Sequence, residues 1–113
     1  MILSNLESVP GFSIKKHFGL VTGSTVRGKD FLDDLFASLK NIFGGELQEY
    51  TSLLDESRDQ ALQRIQNHAE KLGANAIVGL TFSTSNIADE ASELFVYGTA
   101  VYVEPLDLGL EQK

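Results

Sequence analysis

The 113-residue chain has no cysteine, no tryptophan, one methionine and two prolines. Without cysteine there is no disulfide, no thiolate nucleophile and no thiolate metal ligand. The same absence fits a reducing compartment. Soft metal ions prefer thiolate or thioether donors, and Met1 is the one such donor in the chain. Basic charge is scarce as well. Nine Lys and Arg stand against 16 Asp and Glu, for a formal net charge of −7. Backbone recognition of nucleic acid needs a clustered positive surface. The local basic groups are Lys15-Lys16-His17 and Arg27-x-Lys29, which read as solvated surface. No nucleic-acid partner is expected. No apolar run approaches the roughly 20 residues of a membrane helix, and the opening MILSNLESVPGF lacks the basic and apolar regions of a secretory leader. The expectation is a soluble, cytoplasmic protein with no membrane partner.

What is present is patterning. The 42% hydrophobic content argues against disorder, and the length suits one domain. Val9-Pro10-Gly11 signals a turn. Residues 12–22 then alternate, with Phe12, Ile14, Phe18 and Leu20 against Ser13, Lys15 and His17, which predicts a strand bent at Gly19. Phe31, Leu32, Leu35, Phe36, Leu39, Ile42 and Phe43 switch to helical spacing, with Asp30 as N-cap and Gly44-Gly45 as the stop. A second helix is expected from about Thr51 to Leu72. Its stripe is Leu54, Ala61, Leu62, Ile65, Ala69 and Leu72; Ser52-x-x-Asp55 serves as a capping box and Gly73 as the stop. Residues 76–83 and 94–103 alternate as strands, and the intervening TSNIADEASE reads as a polar hairpin loop.

The order is β-α-α-β-β, an α+β two-layer domain with helices on one face of a largely antiparallel sheet. It is expected over residues 1–104, with a flexible tail over 105–113. The last strand is apolar on both faces, Phe95, Tyr97, Val101 and Val103 against Leu94, Val96, Ala100 and Tyr102. Helices on one side cover one face, so the pattern predicts self-association.

Gly23 to Asp30, GSTVRGKD, differs from a phosphate-binding loop by its last letter. That position must offer a hydroxyl to Mg²⁺. Asp30 instead brings a carboxylate toward the phosphate and, as N-cap, occupies the donors that an anion would use. The segment reads as a glycine-rich turn. Other candidates are thinner. His17 and His68 lie on different elements. Asp89, Glu90 and Glu93 lack the spacing of a calcium loop. Ser24, Thr25 and the serines of 83–85 have no histidine in a nucleophile pattern. Glu46, Tyr50 and Arg58 bracket the start of the second helix and suit either a polar cluster at a subunit contact or a satisfied surface network.

At Leu72–Gly79, LGANAIVG, the chain resembles the YbjQ-like family of small bacterial and archaeal proteins, which carries a heavy-metal-binding label. Pro10-Gly11, Val26-x-Gly28, Lys40-Asn41-Ile42-x-Gly44-Gly45-Glu46, Tyr50 and Gly98-Thr99-Ala100-Val101 extend the resemblance from about residue 2 to residue 103. It implies a dodecin-subunit-like α+β subunit assembled into a ring-like homo-oligomer, a pentamer, and not a nucleotide hydrolase. By family label alone it implies a divalent or heavy metal ion as cofactor. Many relatives have an acidic residue where this chain has Ser83. The expected function is a non-catalytic ring that binds a metal ion or small ligand between subunits. One alternative is an enzyme with an intersubunit site drawn from Arg27, Lys29, Tyr50 and Arg58. A nucleotide binder through residues 23–30 is another.

Overall fold

A computed structural model describes residues 1–27, 48–88 and 91–107. The described elements run β1 (Ile2–Leu3), β2 (Phe12–Arg27), α1 (Gln48–Leu72), β3 (Ala76–Ala88) and β4 (Ala91–Pro105). They form a mixed four-stranded sheet in the order β1-β3-β4-β2 with a helix on one face. β1 runs parallel to β3, and the other pairings are antiparallel. The helix expected over residues 31–43, with its Asp30 cap and Gly44-Gly45 stop, lies outside the described residues.

Three expectations change. Gly23–Arg27 is not a turn: it continues β2, paired with β4 from Gly23↔Val96 to Arg27↔Ser92. Residues 84–88 and 91–93 of TSNIADEASE are not a loop either, because β3 runs to Ala88 and β4 begins at Ala91; Asp89 and Glu90 lie outside the described residues. Within the β3–β4 ladder the exposed Ser85 donates from Oγ to Glu93 Oε1 at 3.3 Å. Finally, α1 starts at Gln48, so Ser52 lies within the helix rather than at its cap. β1 is an addition that periodicity did not show, since two residues carry no period.

α1 packs its small residues on the sheet. Ala61, Ile65 and Ala69 are fully buried against Val21, Ile77, Val96 and Ala100. The helix lies over β2 and β4 rather than β3. It comes so close to β2 that only glycine fits at position 23, where a Cβ would stand 2.3 Å from Ala61 O and 2.5 Å from Ile65 N. The helix ends as Gly73 was expected to end it. Gly73 adopts φ 94°, its N–H bonds Glu70 O at 3.0 Å, and Ala74 N–H bonds Ala69 O at 3.1 Å. Those two bonds are the Schellman closure of a helix C-terminus. Asn75 then latches onto β4, donating from Nδ2 to Val103 O at 2.9 Å and accepting from Val103 N–H at 2.8 Å.

The face opposite α1 is covered in part by the chain itself. Val9 packs against Ala76, Val78, Val101 and Val103, with Phe12 and Ile14 alongside. The Val9-Pro10-Gly11-Phe12 turn, closed by Phe12 N–H to Val9 O at 3.0 Å with Gly11 at φ 83°, folds this segment back. Proline followed by a positive-φ glycine is the type II arrangement. The rest of that face is bare. Leu20 pairs with Thr99 and is 69% exposed; Thr22 pairs with Tyr97, which is 37% exposed.

Candidate functional site

A cavity of about 420 Å³ opens on this opposite face, lined by Glu7, His17, Val78, Gly79 and Thr99. Its construction follows from two interruptions of the sheet. The β2–β4 register shifts between His17 and Gly19, where Gly19 adopts φ 107°. The β3–β4 register shifts between Val78 and Thr81, where Gly79 adopts φ 63°. Both shifts flank the same stretch of β4, because Thr99 pairs with Leu20 on one side and Val78 on the other. Bulges leave residues out of the ladder and re-aim neighbouring side chains. Here they hollow the sheet on both sides of Thr99. A positive φ is readily adopted only by glycine.

The rim comes from the N-terminal segment. Ser4 Oγ donates to Ser8 O at 2.8 Å and accepts from Leu6 N–H at 3.1 Å, which folds residues 4–8 into a tight bend. Leu80 N–H donates to Ser4 O at 3.0 Å and Gly79 N–H to Leu6 O at 2.6 Å. The bend is thereby tied to the β3 bulge, and Glu7, next in sequence, stands at the cavity edge. Among the described residues, the side chains of Glu7, His17 and Thr99 take part in no hydrogen bond or ion pair. The cavity thus presents a carboxylate, an imidazole and a hydroxyl free to bind a ligand. Among the described residues no hydrogen bond joins them, so no base is seen bonded to the Thr99 hydroxyl as a nucleophile pair would need.

The residues singled out from sequence are placed differently. Arg27 ends β2, at the end of the sheet far from the cavity. Tyr50 and Arg58 share α1 about two turns apart. Arg58 is exposed and pairs with Asp55 one turn away. Lys29 and Glu46 lie outside the described residues. His68 is exposed on α1, with Nδ1 3.4 Å from both Thr22 N and Thr22 O. An open acidic ledge of about 570 Å³ also runs along α1 past Asp55, Glu56, Asp59, Gln60 and Gln63. Of the cavity residues, His17 was legible as a lone histidine. Glu7 gave no signal of its own, and Thr99 stood out only as part of the family-like stretch Gly98-Thr99-Ala100-Val101. The nearest clue was the pair of in-strand glycines, Gly19 and Gly79, whose meeting around Thr99 depends on register.

The site and fold define a small α+β domain with a ligand-sized cavity and no assembled catalytic constellation among the described residues. The chain belongs to the YbjQ family, described as "Putative heavy-metal-binding", which matches residues 1–104. It is 54% identical over 104 residues to a UPF0145 protein of Hahella chejuensis, covering 92% of this chain and all of that one. It is 62% identical over 97 residues to a UPF0145 protein of Acinetobacter baylyi, covering 86% and 90%. Its fold resembles that of a protein of unknown function of the DUF74 family from Pediococcus pentosaceus, with a TM-score of 0.57 and 19% identity over 92% of this chain and 98% of that one.

The family description can be tested on the donors present. Heavy, soft metals select thiolate and thioether ligands; the chain has no cysteine and one methionine. Among the described residues no three His, Cys, Asp or Glu come together as a metal-holding group. The described part of one chain does not fit a heavy-metal ion. Likewise, Gly23–Arg27 offers no phosphate cradle, since those residues pair along β4. Among the described residues no helix is long and apolar enough to cross a membrane.

Proposed function

We propose that the protein is a non-catalytic homo-oligomer, a ring of YbjQ-type subunits that binds a small ligand or metal ion at subunit interfaces. The observation that carries this reading is the bare half of the sheet, where Leu20 is 69% exposed beside Tyr97 at 37%. Phe95 continues the strip, with its ring centroid 6.0 Å from that of Tyr97. Contiguous apolar surface of this kind is rare on monomers. The protomer is also extended. Its radius of gyration is 18.5 Å, against about 13 Å for a compact domain of this size.

The sheet edges add direction. β2 is an outer strand, and α1 blunts it: Arg64 Nη1 donates to Ser24 O, and His68 sits on Thr22. Among the described residues the β3 edge is covered from Ala76 to Leu80, by β1 and by the bonds of Gly79 N–H to Leu6 O and of Leu80 N–H to Ser4 O. Strand alternation then turns the outward backbone groups of Phe82, Thr84 and Asn86 toward the same open side. A second copy laid on this edge and on the Leu20–Tyr97 strip would bury both. The resemblance noted above sets the expected count at five, with Arg27, Lys29, Glu46, Tyr50 and Arg58 as interface ligand candidates.

Native mass spectrometry of the full chain, purified without chelator, tests this. The expected result is one closed oligomeric mass at micromolar concentration, with a metal or small-molecule adduct. A monomer at that concentration overturns the assembly reading. A bare ring that takes up no divalent ion overturns the metal part of it.

A further inference from the structure

We propose that the cavity between the two bulges is a binding site for a small aliphatic ammonium compound that also carries a hydroxyl. The inference stands on the single chain and does not need the ring.

Charge selects the ligand. Glu7 is the one formally charged side chain lining the cavity, so the complementary group is a cation. The −7 net charge of the chain raises the local concentration of any small cation. A bare metal ion is the weaker match. Glu7 and His17 are the cavity's two metal-ligating side chains, and no third gathers with them among the described residues. Transition-metal sites commonly take three or four protein donors. An ammonium group asks less: one carboxylate, with water at its remaining N–H bonds.

The remaining walls select the rest of the molecule. Val78 packs with Val9 and is 5% exposed, so it offers a small apolar contact for methylene groups. At Gly79 a Cβ would meet nothing within 4 Å, so the floor there is open space with φ 63°. Thr99 Oγ1 and the His17 ring can each donate or accept a hydrogen bond, which matches a ligand hydroxyl. The hollow measures about 420 Å³ and is open to solvent along one side. A ligand of a few heavy atoms fits. The sheet forgoes regular pairing on both sides of Thr99 to form this hollow. The bond from Gly79 N–H to Leu6 O holds the Glu7 segment against it.

The probe is ethanolamine, followed by two-dimensional ¹H–¹⁵N correlation spectra of the full chain in its native assembly. Saturable shifts are expected at Glu7, His17, Gly79 and Thr99. Glu7→Gln, an exposed and isosteric change, should weaken binding about tenfold, equivalent to about 1.4 kcal/mol. Thr99→Val is a second variant that should weaken it without altering charge. Ethylene glycol, the neutral counterpart, should produce no saturable shift. Absent or non-saturable shifts with ethanolamine overturn the proposal. So does unchanged affinity in Glu7→Gln. Zinc chloride shifting the same residues where ethanolamine does not would reassign the cavity to a metal ion and equally sink it. The oligomeric mass, recorded on the same samples, separates this result from the assembly question.

Discussion

Gly23 lets α1 approach β2 at backbone distance. In sequence it is the first glycine of a loop-like motif; in the fold it is the point where α1 crosses β2. A methyl group there would stand 2.3 Å from Ala61 O and 2.5 Å from Ile65 N. Both are backbone atoms, so no rotamer change relieves the clash. Gly23→Ala should destabilise the protein by about 3 kcal/mol, the upper end of typical overpacking costs, read as a lowered urea midpoint. Thr25, two residues along, makes the opposite case. It is 2% exposed and, among the described residues, its hydroxyl has no hydrogen-bond partner. A buried unpaired hydroxyl costs about 1–3 kcal/mol in desolvation. Thr25→Val keeps the shape and removes the polar atom, so equal or higher stability is expected in the same assay; a loss would mean that the hydroxyl is engaged in solution. Neither role was visible in the letters, because each depends on what α1 places above the strand.

At the level of elements, the regular periods were readable and the irregularities were not. Alternation over residues 12–22 and helical spacing up to Leu72 gave β2 and α1, and Gly73 marked the helix end. The strand ends escaped. The TSNIADEASE stretch resembles a loop when the sequence is read alone, yet its residues 84–88 and 91–93 lie in the β3–β4 ladder, paired from Thr84↔Leu94 to Ala88↔Ala91. The candidate site escaped for a related reason. It is made by two register shifts facing each other across β4, and register is a relation between strands. Asn75 illustrates the same limit within the recognisable LGANA stretch. Its amide supplies both the donor and the acceptor that Val103 would otherwise find in a neighbouring strand. Asn75→Leu removes both bonds and should cost about 2 kcal/mol, at about 1 kcal/mol net for each. Asp at this position keeps the acceptor and loses the donor, so intermediate stability is expected. Equal stability of all three forms would show that the latch contributes nothing.

For the whole molecule the question is what covers the bare half of the sheet. The sequence pattern of β4 anticipated two apolar faces, and the structure divides the second one. Val9 and its turn cover Val101 and Val103, while Leu20 and Tyr97 are left open. Intramolecular cover therefore accounts for one end only. Leu20 is the sharpest probe of the other end, because at 69% exposure it contributes little to the protomer's own core. Burying such a side chain fully is worth about 1.5–3 kcal/mol, and a charged residue in its place would add a desolvation cost to every copy of the contact. Leu20→Lys should therefore leave secondary structure and the far-UV spectrum unchanged. It should also shift sedimentation toward the monomer by at least tenfold in dissociation constant, a change that takes only about 1.4 kcal/mol. An unchanged oligomer would place the contact elsewhere, on the open β3 edge or on α1. A variant that unfolds instead would mean that Leu20 is held by the protomer in solution, contrary to its exposure. Leu106→Lys, at a side chain 45% exposed but beyond the bare strip, is the control that separates loss of a specific contact from a general effect of charge.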